Sequence, residues 1–391
     1  MCGFYAESFW GIIKSMLSFF RRGGIQKGNF HLVATIDEHS LVFMLLRIQD
    51  GKHEVERFGV QHADSSQGMF LLDDVLDDLR KKFNIQELVV SFAAPYFQIQ
   101  SVRESLNRVG TNHEISQSEG RLICKKMIKQ AESRIKKRLF EDSGILPDEY
   151  IVQRARVSHW EIDGYKVNSL EGFKGHGVAG TVIGSFLRQD VVSVLKKMEV
   201  KHHISKISIV HPFEGVLEKK SSGVFVYITE SKTQICIVNH ENFGFSDSFK
   251  PGENQFREIF RDEFGMVENI ADEFYERYLV GALSEEVREK IRSFLLPEVY
   301  NFGTLVREQV EGMSIAAPEN IYIFGKGVRI KEIFHMFEPA TDSSLSSQET
   351  LIAQPLVPRD FKNFPSFSAH ADPRYTEIFL LMQARYAKET Y

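Results

Sequence analysis

Residues 223–254 constrain the fold more than any other stretch of the chain. Two apolar runs, 224–228 and 235–238, are rich in β-branched residues and enclose the polar segment Thr229-Glu230-Ser231-Lys232-Thr233. That pattern predicts a β-hairpin. A second turn over 242–248 and a Pro251-Gly252 break then lead into a helix beginning near Glu253. The order is therefore strand, short polar turn, strand, loop, glycine, helix.

Around this unit, 391 residues with 43% hydrophobic content suffice for two domains or one bilobed body. The net charge is −5, and acids and bases are mixed along the chain, which argues against nucleic acid as the main partner. Cys2, Cys124 and Cys236 lie far apart and are odd in number, so the expectation is a reducing cytoplasm without a disulfide framework. No run of 18 apolar residues exists that could span a bilayer.

The segment 1–29 reads as a separate amphipathic element. Phe9, Ile12, Ile13, Met16 and Phe20 recur at helical spacing, and Gly23-Gly24 follows. Such a helix is about 20 Å long, too short to cross a membrane. Two readings stay open. In one it is an interfacial anchor, with Phe9, Trp10, Ile13 and Phe20 at the headgroup boundary and Lys14, Arg21 and Arg22 facing anionic lipid. In the other it packs on its own body or a partner. Met1-Cys2-Gly3 also matches the start of the amidotransferases whose N-terminal cysteine is the nucleophile, although the apolar helical segment that follows is out of place there.

Further on, strands are expected at 30–36, 41–48, 54–60 and 87–92, with a helix at 71–83. Ser116 and Glu119 form a capping box that opens a helix over about 119–139. That helix carries Lys125, Lys126, Lys129, Arg134, Lys136, Lys137 and Arg138, either a solvated surface or a docking face for an acidic partner or lipid. Strands at 149–157, 160–168 and 177–186 follow, with an Asp163-Gly164 turn. After the hairpin, helices are expected at 255–264, 269–279 and 284–302, the last continuing to 311. A strand from 320 then turns into a helix through Gly325-Lys326-Gly327, residues 340–372 read as loop, and a helix at 373–387 is expected to dock on the second half. His202-His203 and His370-Ala371-Asp372 lack further spaced ligands, so no metal is expected.

In this order of elements the chain resembles the actin-like ATPases, and among them FtsA and the pilus protein PilM, over about residues 30–390. The resemblance implies an α/β, ribonuclease H-like fold of two lobes with an inserted SHS2 (1C) subdomain. The first lobe would comprise 30–95 and 187–222, the insertion 96–186, and the second lobe 223–391 with a 2B part at about 256–312. The insertion is matched by its Asp163-Gly164 turn and by Gly172-Phe173.

In that family the hairpin turns carry Asp and glycines, because backbone N–H groups wrap a phosphate only where φ can turn positive and no Cβ intrudes. Laid on the pattern, Thr35 takes the first Asp position and Asp37 the glycine; a shift of two makes Asp37 the family Asp. In the second turn Tyr227 takes the Asp position, Thr229 and Glu230 the glycines, and Gln234 a later Asp. Ser231, Thr233, Gly252 and Glu253 complete that unit, and Gly325 and Gly327 resemble the adenosine motif. A carboxylate at Glu230 would repel a phosphate. The expectation is a degenerate nucleotide site in a pseudo-ATPase, with no catalytic residue, metal or cofactor. ATP and Mg²⁺ would enter only through a rearranged site using Asp37, Glu253, Ser231 and Gly325.

The resemblance further implies a cytoplasmic scaffold, peripheral on the inner membrane, in bacterial division or in pilus or envelope assembly. Its partners would be an FtsZ-like or pilus-assembly protein, the membrane through the N-terminal helix, and further copies of itself.

Overall fold

The computed structural model describes residues 26–49, 52–62, 68–108, 113–219, 222–240, 242–313, 315–336, 352–356 and 376–386. The expected N-terminal helix with Phe9, Trp10, Ile13, Phe20, Arg21 and Arg22 lies outside them, as do Cys2, His370 and Asp372.

The first lobe opens with β1 (Gln26–Ile36), β2 (Ser40–Gln49) and β3 (Lys52–His62), an antiparallel meander, then α1 (Gly68–Arg80) and β4 (Phe83–Phe92). A separate module follows: β5 (Phe97–Asn107), α2 (Gln117–Ser143), β6 (Tyr150–Ile162), β7 (Tyr165–Val167) and β8 (Gly177–Arg188). Its antiparallel sheet has the order β5-β8-β6-β7. The chain returns through α3 (Gln189–Lys201) to β9 (Lys206–Ile209) and α4 (Pro212–Lys219). The first-lobe sheet is thereby completed in the order β3-β2-β1-β4-β9.

The second lobe begins with the hairpin β10 (Gly223–Ile228) and β11 (Thr233–Asn239), adds β12 (Asn242–Phe245), and continues through α5 (Glu253–Phe264), α6 (Glu268–Leu279) and α7 (Glu285–Glu311). It closes with β13 (Asn320–Gly325), α8 (Glu332–His335), β14 (Ile352–Pro355) and α9 (Thr376–Tyr386), giving the sheet order β12-β11-β10-β13-β14.

The hairpin is a near-continuous apolar run because both faces of its sheet are covered. Val224, Val226 and Ile228 enter the core under α5, α6 and α7, while Phe225 and Tyr227 enter a second core shared with Val33 and Val89 of the first lobe. That shared core also takes in Phe213 and Val216 of α4 and residues 378–382 of α9. The two helices touch so closely that a Cβ on Gly215 would lie 2.1 Å from the carbonyl oxygen of Leu380.

Several expectations shift. The last helix does not dock on the second lobe alone. It packs on α4 and against β1 and β4, with Arg385 ion-paired to Glu87 and Tyr386 hydrogen-bonded to His31 at 2.8 Å. Within 340–372, expected as loop, residues 352–355 form an edge strand; four residues show no periodicity, and an edge tolerates Pro355. The expected capping box is half-formed. Ser116 Oγ accepts the N–H of Glu119 at 3.2 Å, but the Glu119 carboxylate is taken by Arg108 at 2.8 and 3.0 Å. The Asp163-Gly164 turn has φ of 50° and 86°, as a tight hairpin of this kind requires.

Candidate functional site

The two leading hairpin turns meet across the cleft between the lobes. β1 reverses into β2 over Asp37-Glu38-His39, with the Asp37 N–H donating to the Ser40 carbonyl at 2.9 Å. β10 reverses into β11 around Thr229, whose hydroxyl donates to the Lys232 carbonyl at 2.8 Å and accepts the Lys232 N–H at 3.2 Å. Each turn then sends a carboxylate to a backbone amide of the other. Asp37 Oδ2 accepts the N–H of Glu230 at 3.0 Å, and Glu230 Oε2 accepts the N–H of His39 at 2.8 Å. Asp37 Oδ1 accepts the N–H of Glu38 at 2.9 Å, so the residue shapes its own turn as well.

Two carboxylates this close require a cation, and Lys326 supplies it. Its ammonium pairs with Glu230, donates to Ser40 Oγ at 2.6 Å and lies 3.8 Å from Asp37 Oδ2. Loss of hydration pulls the Lys326 amine below its ordinary pKa, and the Asp37 carboxylate partly restores it. Beneath this set, the Tyr227 hydroxyl donates to Glu377 Oε2 at 2.8 Å, and its ring stacks on Phe324 at 4.8 Å. Removal from water, then the nearby Asp37 charge, pushes the Glu377 carboxyl up to about 7.

The helix that follows the hairpin has its N-terminus occupied too. The N–H groups of Glu253 and Asn254 donate to the carbonyls of Thr229 and Glu230 at 2.9 and 2.8 Å. A helix N-terminus free of such partners would attract an anion. Gly252 permits the contact, since a Cβ there would lie 2.5 Å from Glu230 O and Lys232 N. The Glu253 carboxylate is buried against the Tyr275 hydroxyl at 3.2 Å, and burial raises its pKa.

Of the residues singled out from the sequence, Thr35, Asp37, Tyr227, Glu230, Glu253 and Gly325 line one interlobe cleft of about 860 Å³. The others are not part of that lining. Thr233 Oγ1 donates to Pro251 O at 2.6 Å within the second lobe, and the Gln234 amide donates to Ser246 O and to Ile99 O on β5 of the module. Ser231 has a buried hydroxyl without a hydrogen-bond partner among the described residues. Gly325 has φ of 89°, with the Ile228 carbonyl oxygen 2.4 Å from where a Cβ would sit, and a Cβ on Gly327 would meet the Ile228 side chain at 2.6 Å. Both glycines are used for the approach of the strand-to-helix turn to β10.

Sequence reasoning passed over Lys326 and Glu377. Lys326 stands between the two glycines it did single out. Glu377 is 150 residues from Tyr227, and no local pattern marks it. Among the described residues a metal-like grouping, Asp73, Asp77 and His202, joins α1 to the end of α3. Lys201 sits 2.8 Å from both carboxylates, so the charges are met by an ammonium.

Two sheets of the same strand order, facing each other over a cleft and joined by paired helices, define the actin-like ATPase fold. The sequence matches no protein-family model and no curated protein. Among solved structures the chain has the PilM-like form of that fold. It is similar to the "PilM-PilN type IV pilus biogenesis complex" with a TM-score of 0.59 at 12% identity, covering 90% of this chain and 98% of that one. It also aligns with the ethanolamine utilization protein EutJ from Carboxydothermus hydrogenoformans, with a TM-score of 0.46 at 8% identity over 95% and 96% of the two chains. For the diol dehydratase-reactivating factor the values are 0.48 and 8%, over 91% and 100%.

Proposed function

We propose that this protein is an assembly scaffold of the actin-like fold whose interlobe cleft is held by its own carboxylates where relatives of the fold hold a nucleotide. The reading rests on the reciprocal exchange in which Asp37 and Glu230 each fill a backbone N–H of the opposite turn. These are the donors an incoming phosphate needs. A triphosphate would have to displace both carboxylates before it could reach those N–H groups, and to draw Lys326 away from them. Carboxylate here plays the part of a built-in anion, and Lys326 that of a built-in cation.

With its cleft occupied in this way, the protein would work through surface contacts. The likeness to the structure of a PilM–PilN complex favours a pilus- or envelope-assembly partner at the inner membrane surface over an FtsZ-like one, with the module of β5–β8 and α2 as a docking unit. None of the helices among the described residues is long and apolar enough to cross a membrane, so attachment would be peripheral.

A second reading, an ATPase of the same fold, draws on the cleft volume of about 860 Å³. Equilibrium titration with labelled ATP and Mg²⁺ separates the two. The scaffold reading expects no saturable binding at micromolar nucleotide, while affinity of that order that a chelator abolishes overturns it.

A further inference from the structure

Positive charge gathers on α2. The whole chain carries −5, yet the 27 residues of this helix hold eight Lys and Arg against four Asp and Glu. The cations divide into two groups. Arg134, Lys136, Lys137 and Arg138 turn toward Glu104, Glu132, Glu141 and Asp247. Arg121, Lys125, Lys126 and Lys129 are exposed and make no ion pair among the described residues.

At about 100° per residue these four occupy a single arc of the helix. Leu122 and Phe140 lie in the same arc and are 59% and 42% exposed. Eighteen residues separate them, which is a whole number of helical turns. They therefore stand on one line, about 27 Å apart. The opposite face, with Met127, Ala131 and Ile135, is buried on the module's sheet. The strands that α2 packs on lie beneath it, so the outer face is a ridge.

We propose that this ridge is a contact surface for an anionic lipid bilayer. A plane meets a ridge along its whole length: the four cations face lipid phosphates while Leu122 and Phe140 enter the headgroup layer at either end. An acidic peptide would draw on the same charge but gains its hold from pockets, which a ridge does not offer. The inference stands on α2 alone and is independent of what fills the cleft.

The test is co-sedimentation of the full chain with phosphatidylcholine vesicles, with and without phosphatidylglycerol. Pelleting is expected only with the anionic lipid and should fall steeply with added salt. Lys125→Glu with Lys126→Glu and Lys129→Glu is expected to lower the partition coefficient at least about thirtyfold. Leu122→Ser with Phe140→Ser should lower it severalfold. Lys196→Glu with Lys197→Glu on α3 should leave it unchanged. The milder set Lys125→Gln, Lys126→Gln and Lys129→Gln gives the same direction if the reversed variant does not fold. Pelleting that ignores the α2 variants, or that the α3 variant reduces equally, overturns the proposal. So does capture of polyglutamate without any vesicle binding, which would assign the face to an acidic protein.

Discussion

In both lobes a three-stranded antiparallel meander is extended by two parallel strands, and the last strand leads into a helix, α4 or α9, that packs against its counterpart. The lobes differ in what the connections carry. Among the described residues, the first lobe has only α1 between the third and fourth strands of its sheet, while the second has α5, α6 and α7. Between the fourth and fifth, the first lobe holds the whole module and α3, and the second, among the described residues, the short α8. Strand order is thus the shared element, set by how the sheets bury two faces each, and the additions fall where a connection can lengthen without disturbing the ladder. The partner surfaces proposed above lie on the additions; the exchanged carboxylates of the cleft lie on the two turns that the lobes have in common.

The largest expected effect breaks the equivalence of the paired helices. Gly215→Val forces α4 away from the Leu380 carbonyl, which no side-chain rearrangement can relieve, and should cost about 3 kcal/mol or more. Urea unfolding reads it directly. A loss below about 1 kcal/mol would mean that α4 and α9 are not a rigid joint.

The next effect sharpens the contrast between those helices, because α9 brings a carboxyl, Glu377, to the cleft floor. Its pKa is raised from an ordinary 4.5 to about 7 by removal from water, then by Asp37, with Tyr227 and Lys326 opposing. A carboxyl raised in the folded state has no cost below about 4.5, where both states are protonated. The cost grows as pH rises to about 7 and is constant beyond. With partial exposure discounted, it amounts to about 2 to 3 kcal/mol. Glu377→Gln should therefore gain that much over the wild type at pH 8 and match it near pH 4. Identical pH profiles of the unfolding midpoint would sink the assignment.

How far this was readable in the sequence differs between the two levels. The hairpin at 224–238, the meander before it and the Asp163-Gly164 turn were legible because alternation, β-branching and turn residues are local signals. The half-formed cap at Ser116 was not, since Arg108, just past the end of β5, competes for Glu119. At the cleft, the sequence exposed the missing glycines and the odd carboxylates at Asp37 and Glu230, which lie 193 residues apart. It could not show that they answer each other. That exchange depends on the closure of two lobes, and Lys326 and Glu377 enter it from elements whose local sequence reads as ordinary helix and turn.

The smallest expected effect compares the two turns themselves. Their exchange is symmetric in hydrogen bonds but not in charge, since the Lys326 ammonium is in contact with Glu230 and 3.8 Å from Asp37. Glu230→Gln keeps the shape and an acceptor for the His39 N–H but removes the charge that Lys326 leans on. It should cost about 2 kcal/mol. Asp37→Asn retains an acceptor for the Glu230 N–H and leaves Lys326 its nearer partner, so about 1 kcal/mol is expected. Because both carboxylates answer to one lysine, the losses should not add: with Lys326→Met in the background, each substitution should cost less than it does alone. Additive losses in that double-mutant cycle would show that the turns are held by separate contacts, and the picture of one shared ionic clasp between the lobes would fail.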